Sequence, residues 1–296
     1  MIEIRNLKKS FGPNQVLKGL NLDIHTGKTT VVIGPSGCGK SVLLKHIIGL
    51  LKPNEGSILI DGEDITKMPD IDVYRIRNRF GYLFQGAALF DSMTVAENIG
   101  LGLSENTNKL QSEIDKIVSQ KLELVDLQDV QKLKPSELSG GMRKRVGLAR
   151  ALACSPEYIL YDEPTTGLDP ITANTIDQLI RSLAEKLQVT SIVVTHDIFS
   201  VYEVADWVAM MHDGVIYFEG APQELVKTQD PIVREFLGRT GCCAGVLAAT
   251  TAPAQDPTQP VVMVGQRFAH PRDLGPHTRA AGFEGKARRE DSNLRP

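Results

Sequence analysis

The chain has 296 residues, enough for one large domain or two small ones. Its apolar share of 42% and charged share of 23% fit an ordinary globular protein, and a formal net charge of -3 gives no support to a nucleic-acid-binding surface. No apolar run reaches the roughly 18 residues that a membrane-spanning helix requires, and Met1-Ile2-Glu3-Ile4-Arg5 is not a signal peptide.

Ile2 and Ile4 alternate with polar residues, as in a half-buried strand, and Asn21-Leu22-Asp23-Ile24-His25 alternates again. Phe11 and Val16 lie between these strands. An aromatic such as Phe11 can stack on a nucleotide base, although core packing is the commoner use of an isolated Phe. Thr29-Thr30-Val31-Val32-Ile33 is short, β-branched and apolar, and predicts a buried strand. Gly34-Pro35-Ser36-Gly37-Cys38-Gly39-Lys40-Ser41 follows at once and fits the phosphate-binding pattern G-x-x-x-x-G-K-[ST]. A helix is predicted from Ser41 and Val42 to Ile48, stopped near Gly49. Strand, glycine loop and helix start together aim backbone N–H groups and a positive dipole end at a polyphosphate. In that setting Lys40 reaches the β- and γ-phosphates and the Ser41 hydroxyl ligates Mg²⁺.

Ser57-Ile58-Leu59-Ile60 runs into Asp61-Gly62, a hairpin turn signal, so antiparallel strands are predicted around the phosphate-loop unit. Residues from about 85 to 152 read as mostly helical, with Leu110, Ile114, Ile117, Val118, Leu122 and Val125 forming one apolar face that packs in a core. Tyr158-Ile159-Leu160-Tyr161-Asp162-Glu163 is an apolar strand ending in two acids. Such an end lies at the carboxyl edge of a parallel sheet, where ligands bind. There Asp162 can hold Mg²⁺ and Glu163 can polarise a water. Thr190 to Val194, then Thr195-His196, is a further strand that brings His196 to the same edge. Val208–Met211 and Val215–Phe218 flank Asp213-Gly214 as a hairpin, and short helices are predicted over 222–227 and 231–237. Cys38, Cys154, Cys242 and Cys243 have neither metal spacing nor a disulfide framework, so a reducing cytosol is the expected compartment.

After about Thr240 the composition changes. Residues 241–296 hold six prolines and two aromatics without a sustained period, and basic residues exceed acidic ones by seven to five. The segment is expected to be disordered and unrelated to the fold, the product of a shifted reading frame.

The motifs together resemble the ATP-binding subunit of an ABC transporter over residues 1 to about 240. Besides the phosphate loop and Asp162-Glu163, Leu138-Ser139-Gly140-Gly141-Met142 looks like the family's signature sequence. Gln85 looks like the Q-loop glutamine, Gly167-Leu168-Asp169 like the D-loop, and His196 like the switch histidine. The resemblance implies an α/β fold, a P-loop NTPase (RecA-like) core with an N-terminal antiparallel β region and a helical subdomain at about 86–152. It also implies that Phe11 stacks on the adenine with Val16 beside it, and that Ser41, Gln85 and Asp162 organise Mg²⁺. Glu163 then acts as the general base for water attack on ATP, and His196 bonds the γ-phosphate. Ser139, at an N-cap-like position before a helix over 142–153, forms with Gly140, Gly141 and Met142 a second anion site for the nucleotide of another copy. The expected partner is therefore a second copy, in a head-to-tail dimer that sandwiches two ATP molecules.

Three stretches narrow the resemblance: Met142-Arg143-Lys144-Arg145-Val146-Gly147-Leu148-Ala149-Arg150 after the signature, Phe84 to Val95, and Asp230 to Leu237. They look like the ATPases of the Mla and Mce-associated systems, which move phospholipids across the bacterial envelope. That implies a peripheral position on the cytoplasmic face of the inner membrane, under a separate permease and with an Mce-type lipid-binding protein, and no nucleic-acid partner. A polar amino-acid or other small-solute importer shares the same motifs. A soluble ABC ATPase acting on ribosomes or DNA is opposed by the single phosphate loop and the lack of a heptad array or CxxC pair. A non-catalytic nucleotide-binding regulator is opposed by Glu163.

Overall fold

The computed structural model describes residues 1–239; the expected tail, 241–296, lies outside the described residues. The chain begins with β1 (Ile2–Phe11) and β2 (Asn14–Ile24), then β3 (Thr29–Ile33), α1 (Lys40–Ile47), β4 (Glu55–Ile60) and β5 (Glu63–Asp64). Next come α2 (Asp70–Arg77), β6 (Phe80–Leu83), α3 (Val95–Asn106), α4 (Gln111–Leu124), α5 (Gly140–Leu152) and β7 (Tyr158–Asp162). The described part closes with α6 (Pro170–Leu187), β8 (Thr190–Val194), α7 (Ile198–Val204), β9 (Trp207–His212), β10 (Val215–Gly220), α8 (Pro222–Lys227) and α9 (Pro231–Arg239).

Two sheets carry the architecture. An antiparallel sheet in the order β2-β1-β4-β5 takes up the N-terminal strands. A second sheet runs β10-β9-β3-β8-β7-β6, with β9, β3, β8, β7 and β6 parallel and β10 antiparallel at the edge. Every residue of β3, β7 and β8 is buried, as expected for parallel strands covered on both faces. Strand alternation divides the core. Val31, Ile33, Ile159, Tyr161 and Val193 face a cluster built with helices α3 to α6. Val32, Leu160, Ile192 and Val194 face the opposite cluster, filled by α1 and the antiparallel sheet.

Several boundaries differ from the sequence reading. α2 and the four-residue β6 carry too little periodicity to be read. β2 begins at Asn14 instead of near Asn21. β7 stops at Asp162, because Glu163 turns into the left-handed region at φ 48°. α5 begins at Gly140, two residues before the predicted start, since Ser139 caps it. Leu110 is a correction. It is 70% exposed because it is the extended residue before α4 and lies off the helix face, while Ile114, Val118, Leu122 and Val125 are buried as expected.

Candidate functional site

β3 delivers the chain to the carboxyl edge of the parallel sheet, where Gly34 begins the loop. At Gly34 (φ 151°) an added Cβ would meet the Met211 carbonyl oxygen at 2.5 Å. At Gly39 (φ 108°), which precedes α1, it would meet Val16 Cγ1 at 3.0 Å. Both positions therefore require glycine in conformation and in space. The second contact also sets Val16 over the loop. No side chain caps α1 and no acid stands in its first turn, so the helix start keeps its N–H groups and positive potential for an anion. Pro35, Ser36 and Gly37 are exposed along the loop's rim. Cys38 is half-buried, and burial pushes its thiol pKa up, which keeps it unreactive. Lys40 is buried, with its ammonium donating to the carbonyls of Gly34 (2.8 Å) and Pro35 (3.1 Å). A positive charge thus lies inside a loop of open N–H donors. Val42 follows on α1, half-buried against the core.

At the end of β7 the two acids have different surroundings. Asp162 is buried; Ser41 Oγ donates to its Oδ1 at 2.8 Å and Tyr82 OH to its Oδ2 at 3.1 Å. Burial beside this carboxylate pushes the Tyr82 phenol pKa far up, so it stays a donor. Glu163 is anchored by its own N–H to the Val194 carbonyl at 2.9 Å. Its Oε2 accepts from Thr166 Oγ1 at 2.8 Å and more loosely from Gln85 Nε2 at 3.4 Å, and its Oε1 lies 3.3 Å from His196 Nδ1. The loop after β3, the end of β7 and the turn after β8 thus bring Lys40, Ser41, Gln85, Asp162, Glu163 and His196 to one edge. The hydroxyl and carboxylate that meet at Ser41 and Asp162 are hard oxygen donors, a set that fits Mg²⁺ shared with phosphates.

The signature residues stand apart from this group. Ser139 Oγ caps α5 by accepting the Met142 N–H at 3.2 Å, and the first turn carries no acid. A Cβ on Gly141 would meet Thr172 Cγ2 at 2.7 Å, and one on Gly140 would meet Leu168 Cδ2 at 3.3 Å. The signature therefore packs on the D-loop of its own chain. Asp169 caps α6, accepting from the N–H groups of Ile171 (3.1 Å) and Thr172 (3.0 Å) and the Thr172 hydroxyl (2.6 Å). The Thr172 hydroxyl and amide hold its carboxyl below the usual range. Among the described residues, no hydrogen bond joins the signature to the phosphate loop. Phe11, at the end of β1, is 46% exposed with the Lys9 ammonium 5.4 Å above its ring, so it lies at the surface and not in the core.

Sequence reasoning missed four supporting residues. Tyr82 arrives on the unread β6, and Thr166 lies within the turn after Glu163. Lys144, buried on α5, donates to the carbonyls of Gln85 and Glu163 (3.2 Å to the latter). Arg150 donates to the carbonyls of Ala87 and Ala88, each at 2.6 Å. The available signal was two basic residues placed among the apolar positions of one helix.

A family model described as ABC transporter matches residues 17–166. The chain is 45% identical over 236 residues, covering 80% of itself and 68% of the relative, to a Mycobacterium leprae protein described as a probable ribonucleotide transport ATP-binding protein, mkl. It is 43% identical over 237 residues, covering 80% of itself and 90% of the relative, to the Haemophilus influenzae intermembrane phospholipid transport system ATP-binding protein MlaF. Among solved structures, a dimeric ATP-binding cassette in a post-hydrolysis state, bound to ADP and Pi, superposes with a TM-score of 0.69 at 34% identity. That match covers 75% of this chain and 99% of the other.

Proposed function

Because the chain belongs to the ABC transporter family and is an ATPase, we propose that it powers phospholipid movement across a bacterial envelope through a separate membrane permease. The observation that carries the lipid reading is the similarity to MlaF along 90% of that relative's length. In this reading the permease is of the MlaE type, and an Mce-type protein binds the lipid. The subunit sits peripherally on the cytoplasmic face of the inner membrane. No helix among the described residues is long and apolar enough to cross a membrane.

The mechanism follows from the site. ATP lies on the loop from Gly34 to Ser41, with its adenine on Phe11 and Val16 and its phosphates on Lys40 and the N–H groups at the start of α1. Ser41, Asp162 and Gln85 would hold Mg²⁺, which when bound neutralises charge on the phosphates. Glu163 accepts the proton of the attacking water. Thr166 fixes one of its oxygens, and His196, beside the other, is free to turn to the γ-phosphate. Phosphoryl transfer asks mainly for positioning and charge stabilisation, and these groups supply both. Ser139, Gly140, Gly141 and Met142 bind the nucleotide of a second copy in a head-to-tail sandwich, which the dimeric cassette among the similar structures supports. Closure on ATP and reopening after hydrolysis drive the permease.

A second reading is a polar-solute transporter, favoured by the ribonucleotide transport named for the mycobacterial relative. A detergent pull-down of the tagged chain from native membranes, with partners identified by mass spectrometry and lipids extracted, separates the two. A MlaE-type permease with an Mce protein and phospholipid supports the first reading. A polar-solute permease with a solute-binding protein overturns it and leaves the ATPase chemistry intact.

A further inference from the structure

Lys144 has no part in the mechanism above, yet it touches two residues that do. It is 5% exposed on α5, five residues beyond the Ser139 cap, or about 7.5 Å along the helix axis at the usual 1.5 Å rise. A lysine is almost never buried so fully unless its charge is satisfied. Here the ammonium forms no ion pair within salt-bridge distance among the described residues. Its donors go to main-chain carbonyls instead: that of Gln85, and that of Glu163 at 3.2 Å. One acceptor lies in unusual backbone and the other shortly before it. Glu163 is left-handed at φ 48°, and Gln85 leads into Ala87 and Ala88, left-handed at φ 61° and 48°. Side-chain-bearing residues hold such conformations only where the surroundings fix them. At Glu163 the fixing groups are the strand bond to Val194 (2.9 Å), the Thr166 N–H on its carbonyl (3.3 Å) and the Lys144 ammonium.

We propose that Lys144 is a positioning residue of the ATPase site. Its ammonium holds the carbonyls of Gln85 and Glu163, and thereby aims the glutamine and the base from the same helix whose start meets the partner copy's nucleotide. The inference rests on the roles given above to Gln85, Glu163 and the signature, and it deepens that reading. A compact ammonium with three donors can serve two carbonyls at once; an apolar residue of similar length fills the space but takes the side-chain donor from both, leaving the Glu163 carbonyl only its 3.3 Å bond from the Thr166 N–H. Loss of the bonds frees the backbone at both residues while the phosphate loop, built from β3 and α1, is untouched. The expected signature is therefore a loss in turnover without a loss in nucleotide binding.

The test uses the full chain, with its permease if turnover requires it, as wild type, Lys144→Met and Lys144→Arg. Lys144→Met is expected to lower kcat by ~10- to 100-fold, the usual range for groups that orient a catalytic shell. Its Kd for a fluorescent ATP analogue with Mg²⁺ should stay within ~3-fold, because uniform binding is not what was removed. Hydrogen exchange at the Ala87 amide, which donates to the Phe84 carbonyl at 2.8 Å, should speed up. Lys144→Arg keeps a charged donor on a longer, planar group and should recover part of the turnover that Lys144→Met loses. If Lys144→Met does not fold, Lys144→Gln, which keeps a donor, is expected to lie between wild type and background. Unchanged kcat in Lys144→Met overturns the proposal. So does a fall in ATP affinity matching the fall in kcat, or unchanged exchange at Ala87. A parallel Glu163→Gln variant separates the failures: full turnover there would remove the base assignment, whatever Lys144 does.

Discussion

Ser41 Oγ donates to Asp162 Oδ1 across 2.8 Å, joining the helix behind the phosphate loop to the end of β7. The two strands that lead to these residues are not neighbours, since β8 lies between β3 and β7. The bond therefore fixes the gap between the phosphate side and the acid side of the site. A hydrogen bond to a charged group contributes about 1.5–3 kcal/mol, or roughly one to two orders of magnitude in an equilibrium. Ser41→Ala is expected to weaken ATP binding by ~10-fold or more with Mg²⁺ present and by much less with EDTA, since the loop amides and Lys40 remain. Titration of a fluorescent ATP analogue in both conditions checks it; equal losses would remove Ser41 from the metal set.

Glu163 has its carboxylate held on both sides, by Thr166 on Oε2 and beside His196 on Oε1. Glu163→Gln preserves the shape and an acceptor for Thr166 but takes away the basic oxygen. We expect the variant to bind ATP normally and to hydrolyse it at least ~100-fold more slowly, the lower end of general-base effects. Turnover near that of the wild type would show that another group takes the proton.

The residues proposed to contact phosphate and water stood out in the sequence because each motif is short and continuous. Gly34 to Ser41, Asp162-Glu163 and Ser139-Gly140-Gly141 each sit at one strand end or helix start, where local pattern reports local geometry. The groups that hold them in place did not, because they arrive from elsewhere in the chain. Tyr82 reaches Asp162 from a four-residue strand that shows no period, and Lys144 reaches Glu163 from inside a helix whose apolar face looks like ordinary core. Leu110 failed for the converse reason: spacing put it on the apolar face of α4, but the backbone turns extended there before the helix begins.

Arg150 forks onto the carbonyls of Ala87 and Ala88, each at 2.6 Å, and burial lowers its pKa. Both alanines are left-handed, at φ 61° and 48°, a conformation that costs an alanine about 1–2 kcal/mol. The planar guanidinium matches two adjacent carbonyls, and an ammonium does not reproduce that fork. Arg150→Lys is expected to destabilise the chain by ~1 kcal/mol, the usual net worth of a hydrogen bond, since the bond to Ala87 is part-buried and that to Ala88 exposed. Urea unfolding measures it, and a loss within error of zero would mean that the loop holds its shape without the clamp.

Asp177 lies 4% exposed on α6, with Ser200 Oγ of α7 donating to its Oδ2 at 2.7 Å and no partner on Oδ1. It borders a cavity of about 600 Å³ that Thr165, Asn174, Asp197, Tyr202 and Glu203 also line. Burial raises its pKa to about 7; the Ser200 bond opposes this, and Asp197 and Glu203 add to it. The unfolded carboxyl titrates near its ordinary value of 3.8, so between the two values the folded chain holds a proton that the unfolded chain has released. Folding is then favoured in full below about pH 4 and loses this contribution as pH rises through about 7. At about 1.36 kcal/mol per unit, the whole effect has an upper limit of about 4 kcal/mol. Asp177→Asn, which stays neutral and can still bond Ser200, should flatten the fall in stability between pH 5 and 8 and be the more stable form at pH 8. Urea unfolding of both forms across that range decides it. Parallel curves for the two would mean that the Asp177 carboxyl is already ionised in the folded chain at pH 5.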